Sequence, residues 1–176
     1  MSLKKIYSDD SLIKYTSTTI PAERTKHEID GILAEYEVKD IYWHYDPEHN
    51  SVYVMFKLEE VVNQLPVMVN VRVDSPTIWD RAKPKGRPPK PEAINWSVSM
   101  RAMRHFIYTH LNAAYAMQSS KTVAFLGYIQ GANGVQLKEL ILPKLSEYQA
   151  LEHRENLQEE QKAYDKIITV PKTKGA

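Results

Sequence analysis

The sequence of 176 residues predicts an α+β fold: a helix, a three-stranded antiparallel sheet, a long helix packed on the sheet, then C-terminal helices. Apolar residues recur at helical spacing up to Tyr36, alternate from Ile41 to Val73, and return to helical spacing beyond Pro91. The connections between the alternating runs are too short for crossovers, which makes the strands antiparallel. Hydrophobic residues make up 43% of the chain and charged residues 26%, so one ordinary core can form, and the length is short for two.

Residues 1–18 are polar with little periodicity, and read as a flexible N-terminal arm or a loosely docked N-terminus. Pro21 suits a first helical turn, and Ile29, Ile32, Leu33 and Tyr36 follow it, predicting a helix over 21–36. Ile41, Trp43 and Tyr45 alternate with Tyr42 and His44, and Asp46 to Asn50 supplies turn chemistry. Val52, Val54, Phe56 and Leu58 form the second strand, and Leu65, Val67, Val69, Val71 and Val73 the third. The stretch 74–91 holds most of the prolines and reads as a loop. Trp96, Met100, Met103, Ile107, Leu111, Ala114 and Tyr115 then form a stripe on a helix over 92–118 that covers the sheet. Residues 123–129 fit either strand or helix, and the turn from Gly131 to Gly134 precedes a helical stretch from about Gln136. One domain over 19–143 is therefore expected, followed by a charged helical tail over 144–176.

Composition narrows the function. There are no cysteines, which removes disulfides, thiolate metal sites and cysteine nucleophiles and fits a reducing compartment. The start lacks the apolar stretch of a secretory signal, and no segment approaches the roughly 20 apolar residues that span a bilayer. A cytoplasmic protein with no membrane partner is expected.

Ile20 to Thr25 with the helix through Leu33, the hairpin after it, Ser99 to Tyr108 running into Asn112 to Met117, and Phe125 to Tyr128 before the Gly131 turn together resemble an uncharacterised bacteriophage and prophage family. The likeness spans roughly residues 20–142. It implies a small helix, three-strand, helix arrangement and a phage-type origin, hence the cytoplasm of a bacterial host, and it supplies no activity or catalytic residues to carry over. The same element order is similar to that of double-stranded RNA-binding domains.

The segment Lys83-Pro-Lys-Gly-Arg-Pro-Pro-Lys90 is the leading functional candidate. Its Gly86-Arg87-Pro88 centre is similar to the AT-hook, which lies extended in the minor groove of A·T-rich DNA. A narrow minor groove concentrates negative potential, glycine permits close backbone approach, and prolines keep the chain extended. Arg87 would insert, and Lys83, Lys85 and Lys90 would neutralise phosphates. The motif proper has arginine on both sides of the glycine, whereas Lys85 precedes it here. The plain alternative is a solvated, proline-stiffened connector. Arg101 and Arg104 on the following helix could extend the basic surface, or form an ordinary polar helix face.

Alternation sets Trp43 and Tyr45 on one sheet face, expected inward, and Tyr42 and His44 on the other, where Tyr42 and Tyr53 could stack on bases if left open, or could simply pack. His44, Asp46, Glu48 and His49 are ligand types without ligand spacing, and read as a polar turn; no metal is expected. No phosphate-cradling glycine loop, nucleophile elbow or placed carboxylate pair occurs, so neither an enzyme nor a cofactor is expected. The sequence thus favours a non-catalytic nucleic-acid-binding protein contacting DNA through residues 83–90. The alternative is a protein-protein interaction module acting on a host or phage protein in defence or replication. Leu145, Tyr148, Leu151, Leu157 and Tyr164 of the tail would then serve docking or homo-oligomerisation.

Overall fold

The computed structural model describes residues 5–16, 18–62, 64–82, 91–131 and 133–145. The chain order is β1 (Ile6–Tyr7), α1 (Ala22–Glu35), β2 (Lys39–Asp46), β3 (Ser51–Val62), β4 (Leu65–Asp74), β5 (Ile78–Asp80), β6 (Ala93–Ile94), α2 (Trp96–Ala116) and α3 (Lys121–Ala124). A 3-10 turn at Leu126–Tyr128 follows, and residues 137–145 are helical. The fold is α+β, as the change of period predicts. No helix among the described residues is long and apolar enough to cross a membrane.

Both long helices end in the same way. After α1 the Val38 amide donates to Leu33 O at 2.9 Å and the Glu37 amide to Ala34 O at 3.0 Å, with Glu37 at φ 58°. After α2, Ser119 donates to Ala114 O and Gln118 to Tyr115 O, with Gln118 at φ 51°. This paired pattern closes a helix by placing one residue in the left-handed region, where glycine is the unstrained choice. Neither position is glycine here. At the other end of α2, Asn95 Oδ1 accepts from the Val98 amide at 3.0 Å, a side-chain cap.

The main sheet is an antiparallel meander in the order β2-β3-β4, with Trp43 opposite Val54 and Phe56 opposite Val71. Asp46 Oδ1 accepts from the amides of Glu48 and His49, which folds the β2-β3 turn through side-chain mimicry of a backbone turn. Val54, Phe56, Leu58, Val71 and Val73 face α1 and α2, whose Ile29, Leu33, Met100, Met103, Ile107 and Leu111 complete the core. Phe125 is fully buried and meets Phe56 edge to face at 5.5 Å, so the α3 segment seals this layer. Tyr115 is 76% exposed, and the predicted apolar stripe therefore stops at Ala114, two residues before the helix does.

The outer edge of β4 is partly closed. Asn70 O accepts from the Gln130 amide, and Arg72 O from Gln136 Nε2. In an antiparallel ladder even-numbered β4 residues then all turn their backbone groups outward. Pro66 is one of them, and it removes a donor from the stretch that residues 129–136 leave uncovered.

A second, small sheet departs from expectation. Ile6 and Tyr7 pair in parallel with Ile78 and Trp79, and Trp79 and Asp80 pair antiparallel with Ile94 and Ala93. The arm is thus docked at residues 6–7, and the predicted loop over 74–91 contains a strand. Ile78 is buried, and its amide donates to the buried Ser99 Oγ on α2 at 3.2 Å, which anchors this sheet to the main body. The helix predicted from residue 92 begins at Trp96 because Ala93 and Ile94 extend into that sheet.

Candidate functional site: a clamped loop foot and an aromatic cleft

Lys83, Lys85, Gly86, Arg87 and Lys90 lie outside the described residues. The two feet of their segment are described, and they belong to neighbouring antiparallel strands, β5 before it and β6 after it. The arm holds both. Arg81 Nε lies 3.0 Å from Asp9 Oδ1, and its guanidinium stacks over the Tyr7 ring at 4.0 Å. On the other foot, Lys5 Nζ lies 2.5 Å from Glu92 Oε2, and Tyr7 Oη donates to Glu92 Oε1 at 2.7 Å. These two donors hold the Glu92 carboxyl below its ordinary range. Glu92 is the sole carboxylate between Arg81 and Asn95, so the arm neutralises the one negative charge within that stretch.

Arg101 and Arg104 are committed elsewhere. Arg101 meets Glu28 of α1 in a two-pronged pair, at 2.5 Å from Nη1 to Oε2 and 3.3 Å from Nη2 to Oε1. Arg104 Nε lies 2.7 Å from the same Oε2. The Arg101 side chain is 11% exposed. Its hydrogen bonds, and then the charges of Arg101, Arg104 and Arg24, draw the Glu28 carboxyl below its ordinary value. Both arginines therefore join α1 to α2. Helical spacing placed them correctly on one side of α2, and Glu28, 73 residues from Arg101, was the partner that spacing could not reveal.

The aromatic residues also arrange differently from expectation. Trp43 is half-buried and Tyr45 is 56% exposed, so this pair is not closed into the core. They line a cleft of about 490 Å³ with Trp96, Met100, Val52 and the first turns of α1, including Glu23 and Lys26. Trp43 Nε1 donates to Asp30 Oδ1 at 2.7 Å, which fixes the indole, and Lys26 Nζ sits 5.5 Å from its ring centre. Tyr45 and Trp96 meet edge to face at 6.4 Å. Trp96 joins the cleft from a distant part of the chain, although its spacing places it in the apolar stripe of α2.

On the opposite sheet face Tyr53 is engaged rather than open. His44 lies 4.7 Å from it on β2, and the Arg72 guanidinium lies 3.9 Å from it on the β4 side. This cross-strand row uses the ring that base stacking would need, and leaves Tyr42, 59% exposed, as the open aromatic there. The cations of this face are paired as well: Lys57 with Asp40, Arg72 with Asp74 and Lys39 with Glu59. His49 Nδ1 and Asp46 Oδ2 approach to 2.7 Å within their turn, a contact that lowers the Asp46 carboxyl. Among the described residues no three His, Cys, Asp or Glu side chains converge as a metal site would require. No protein-family model, curated protein or solved structure matches the chain.

Proposed function

We propose that this is a non-catalytic nucleic-acid-binding protein that attaches to DNA through the basic segment 83–90. The observation that carries the reading is the clamp at the segment's feet. Lys5 and Tyr7 compensate Glu92, and Asp9 engages Arg81, so the remaining cations of the segment act without a competing carboxylate from its own stretch. Lys83, Lys85 and Lys90 contact phosphates in this proposal, and Arg87 enters the minor groove beside Gly86. Arg101 and Arg104 are left out, because reaching a phosphate would break their pairs with Glu28. A phage protein acting in the host cytoplasm is the setting that accompanies this proposal. A gel shift with A·T-rich and G·C-rich duplexes tests it: the chain should prefer the A·T-rich duplex, and Arg87→Ala should remove the preference. Equal binding of both duplexes by the unaltered chain would refute the minor-groove role.

A second reading, a protein-protein interaction module, draws on one surface. Val61, Leu65, Val67 and Met68, at the far end of the β3-β4 hairpin, are between 41% and 67% exposed. The exposed Leu140, Leu142 and Leu145 lead toward the tail that this reading also uses. Removing residues 146–176 separates the readings. Loss of self-association or partner capture, with DNA binding intact, would favour the module.

A further inference from the structure

We infer that the cleft walled by Trp43, Tyr45 and Trp96 accepts an unpaired nucleotide, with its base against the indoles and its phosphate on Lys26. The walls are concave and aromatic, and about 490 Å³ falls within the usual range for small-ligand sites. Trp43 is held in orientation by Asp30, so a flat ring meets a fixed π-face rather than a mobile one. A cationic ligand fits less well, because Lys26 already stands over Trp43 at 5.5 Å and would repel a second positive charge. A purely apolar ligand would leave Lys26 and Glu23 at the cleft without partners. A base with its attached anion answers both. The anion meets Lys26 beside the first turn of α1, whose Pro21 supplies no side-chain cap to the helix amides. Glu23 then stands as an acceptor for an exocyclic amino group of the base.

The cleft also lies near the basic segment along the chain. Pro91, where the described chain resumes, is five residues before Trp96, a span of at most about 17 Å. One strand can therefore meet both. This inference takes its ligand class from the nucleic-acid proposal, but the cleft does not depend on the loop's mode of attachment.

The test uses the full chain carrying Trp79→Phe, so that tryptophan emission comes from Trp43 and Trp96. It is titrated with a short single-stranded oligodeoxyadenylate and with the same strand paired to its complement, each also followed by anisotropy of a labelled oligonucleotide. The single strand should quench the emission strongly and the duplex weakly. Trp96→Leu should weaken single-strand binding about ten-fold, the scale of one stacked base, and Lys26→Ala should weaken it several-fold on a surface position that keeps the fold. Lys85→Ala with Arg87→Ala separates the two proposals. Single-strand binding that survives that change but falls with Trp96→Leu and Lys26→Ala supports the cleft, and duplex binding that also survives it sinks the loop. Duplex binding that depends on the loop, with no quenching by the single strand, overturns the cleft and leaves the loop standing. Quenching untouched by both cleft variants overturns the cleft, and an aromatic peptide side chain that displaces the oligonucleotide no better than glycine peptides rules out a protein ligand for it.

Discussion

Replacing Arg101 by Met removes a charge while keeping most of an unbranched side chain against α1. Two charge-assisted hydrogen bonds to Glu28 are lost, at 2.5 and 3.3 Å, while Arg104 stays 2.7 Å from the carboxylate. A hydrogen bond to a charged group contributes about 1.5–3 kcal/mol, and a surface pair under about 1 kcal/mol. The Arg101 side chain is 11% exposed and that of Glu28 29%, which places the pair between these cases. The retained Arg104 pair limits the loss further, so Arg101→Met should cost about 1.5–2 kcal/mol. In urea titrations this is a fall of roughly 1 M in the midpoint at unchanged slope. Arg24→Ala is the control: it lies 3.9 Å from Glu28 with its side chain 74% exposed, and should change stability by less than about 0.5 kcal/mol. Because the folded Glu28 value is depressed, the pair's contribution is complete above the unfolded value of about 4.3 and disappears as pH falls through the lower folded value. The two proteins should therefore converge in stability at the acid end. DNA affinity of the folded variant should be unchanged. Lost affinity at full stability would refute the assignment of Arg101 to the helix pair.

Other predictions concern the elements around the sites. Glu37→Gly should stabilise the chain by about 0.5–1 kcal/mol, since φ 58° strains a residue with a Cβ; an unchanged thermal midpoint would count against this. Asp30→Ala should cost about 1 kcal/mol by stranding Trp43 Nε1, while Asp30→Asn keeps an acceptor and should be close to neutral in the same melts. Phe125→Ala should cost about 3–5 kcal/mol by opening a cavity against Phe56, and a smaller loss would show that α3 does not seal the core. Lys5→Ala should weaken DNA binding at low salt by exposing the Glu92 charge, and Glu92→Gln should strengthen it; shifts of the same sign would contradict the clamp.

Local signals foretold the elements that are long enough to show a period. The helix read over 21–36 is Ala22–Glu35, and the three alternating runs are the meander, with the turn at Asp46 made by the side chain that suggested it. The small sheet was illegible for a physical reason: a strand of two residues has no period, and Ile6 finds Ile78 only through tertiary folding. Alternation placed Trp43 and Tyr45 on one face, but not how far the helices reach over it. Covering ends near Trp43, and Tyr45 opens into the cleft. Arg101 and Arg104 are likewise legible as neighbouring charges, whereas Glu28 is not, because a pairing across α1 and α2 leaves no trace in spacing along α2.

The most direct measurement is the affinity of the full chain for an A·T-rich duplex at two salt concentrations, with and without Lys85→Ala and Arg87→Ala. Each lost phosphate contact reduces the salt dependence by about 0.9, so the double variant, which loses the Lys85 contact and the Arg87 insertion, should bind more weakly and with a slope shallower by about 0.9. Equal affinity and slope in the two proteins, or no duplex binding by the unaltered chain, would contradict the account.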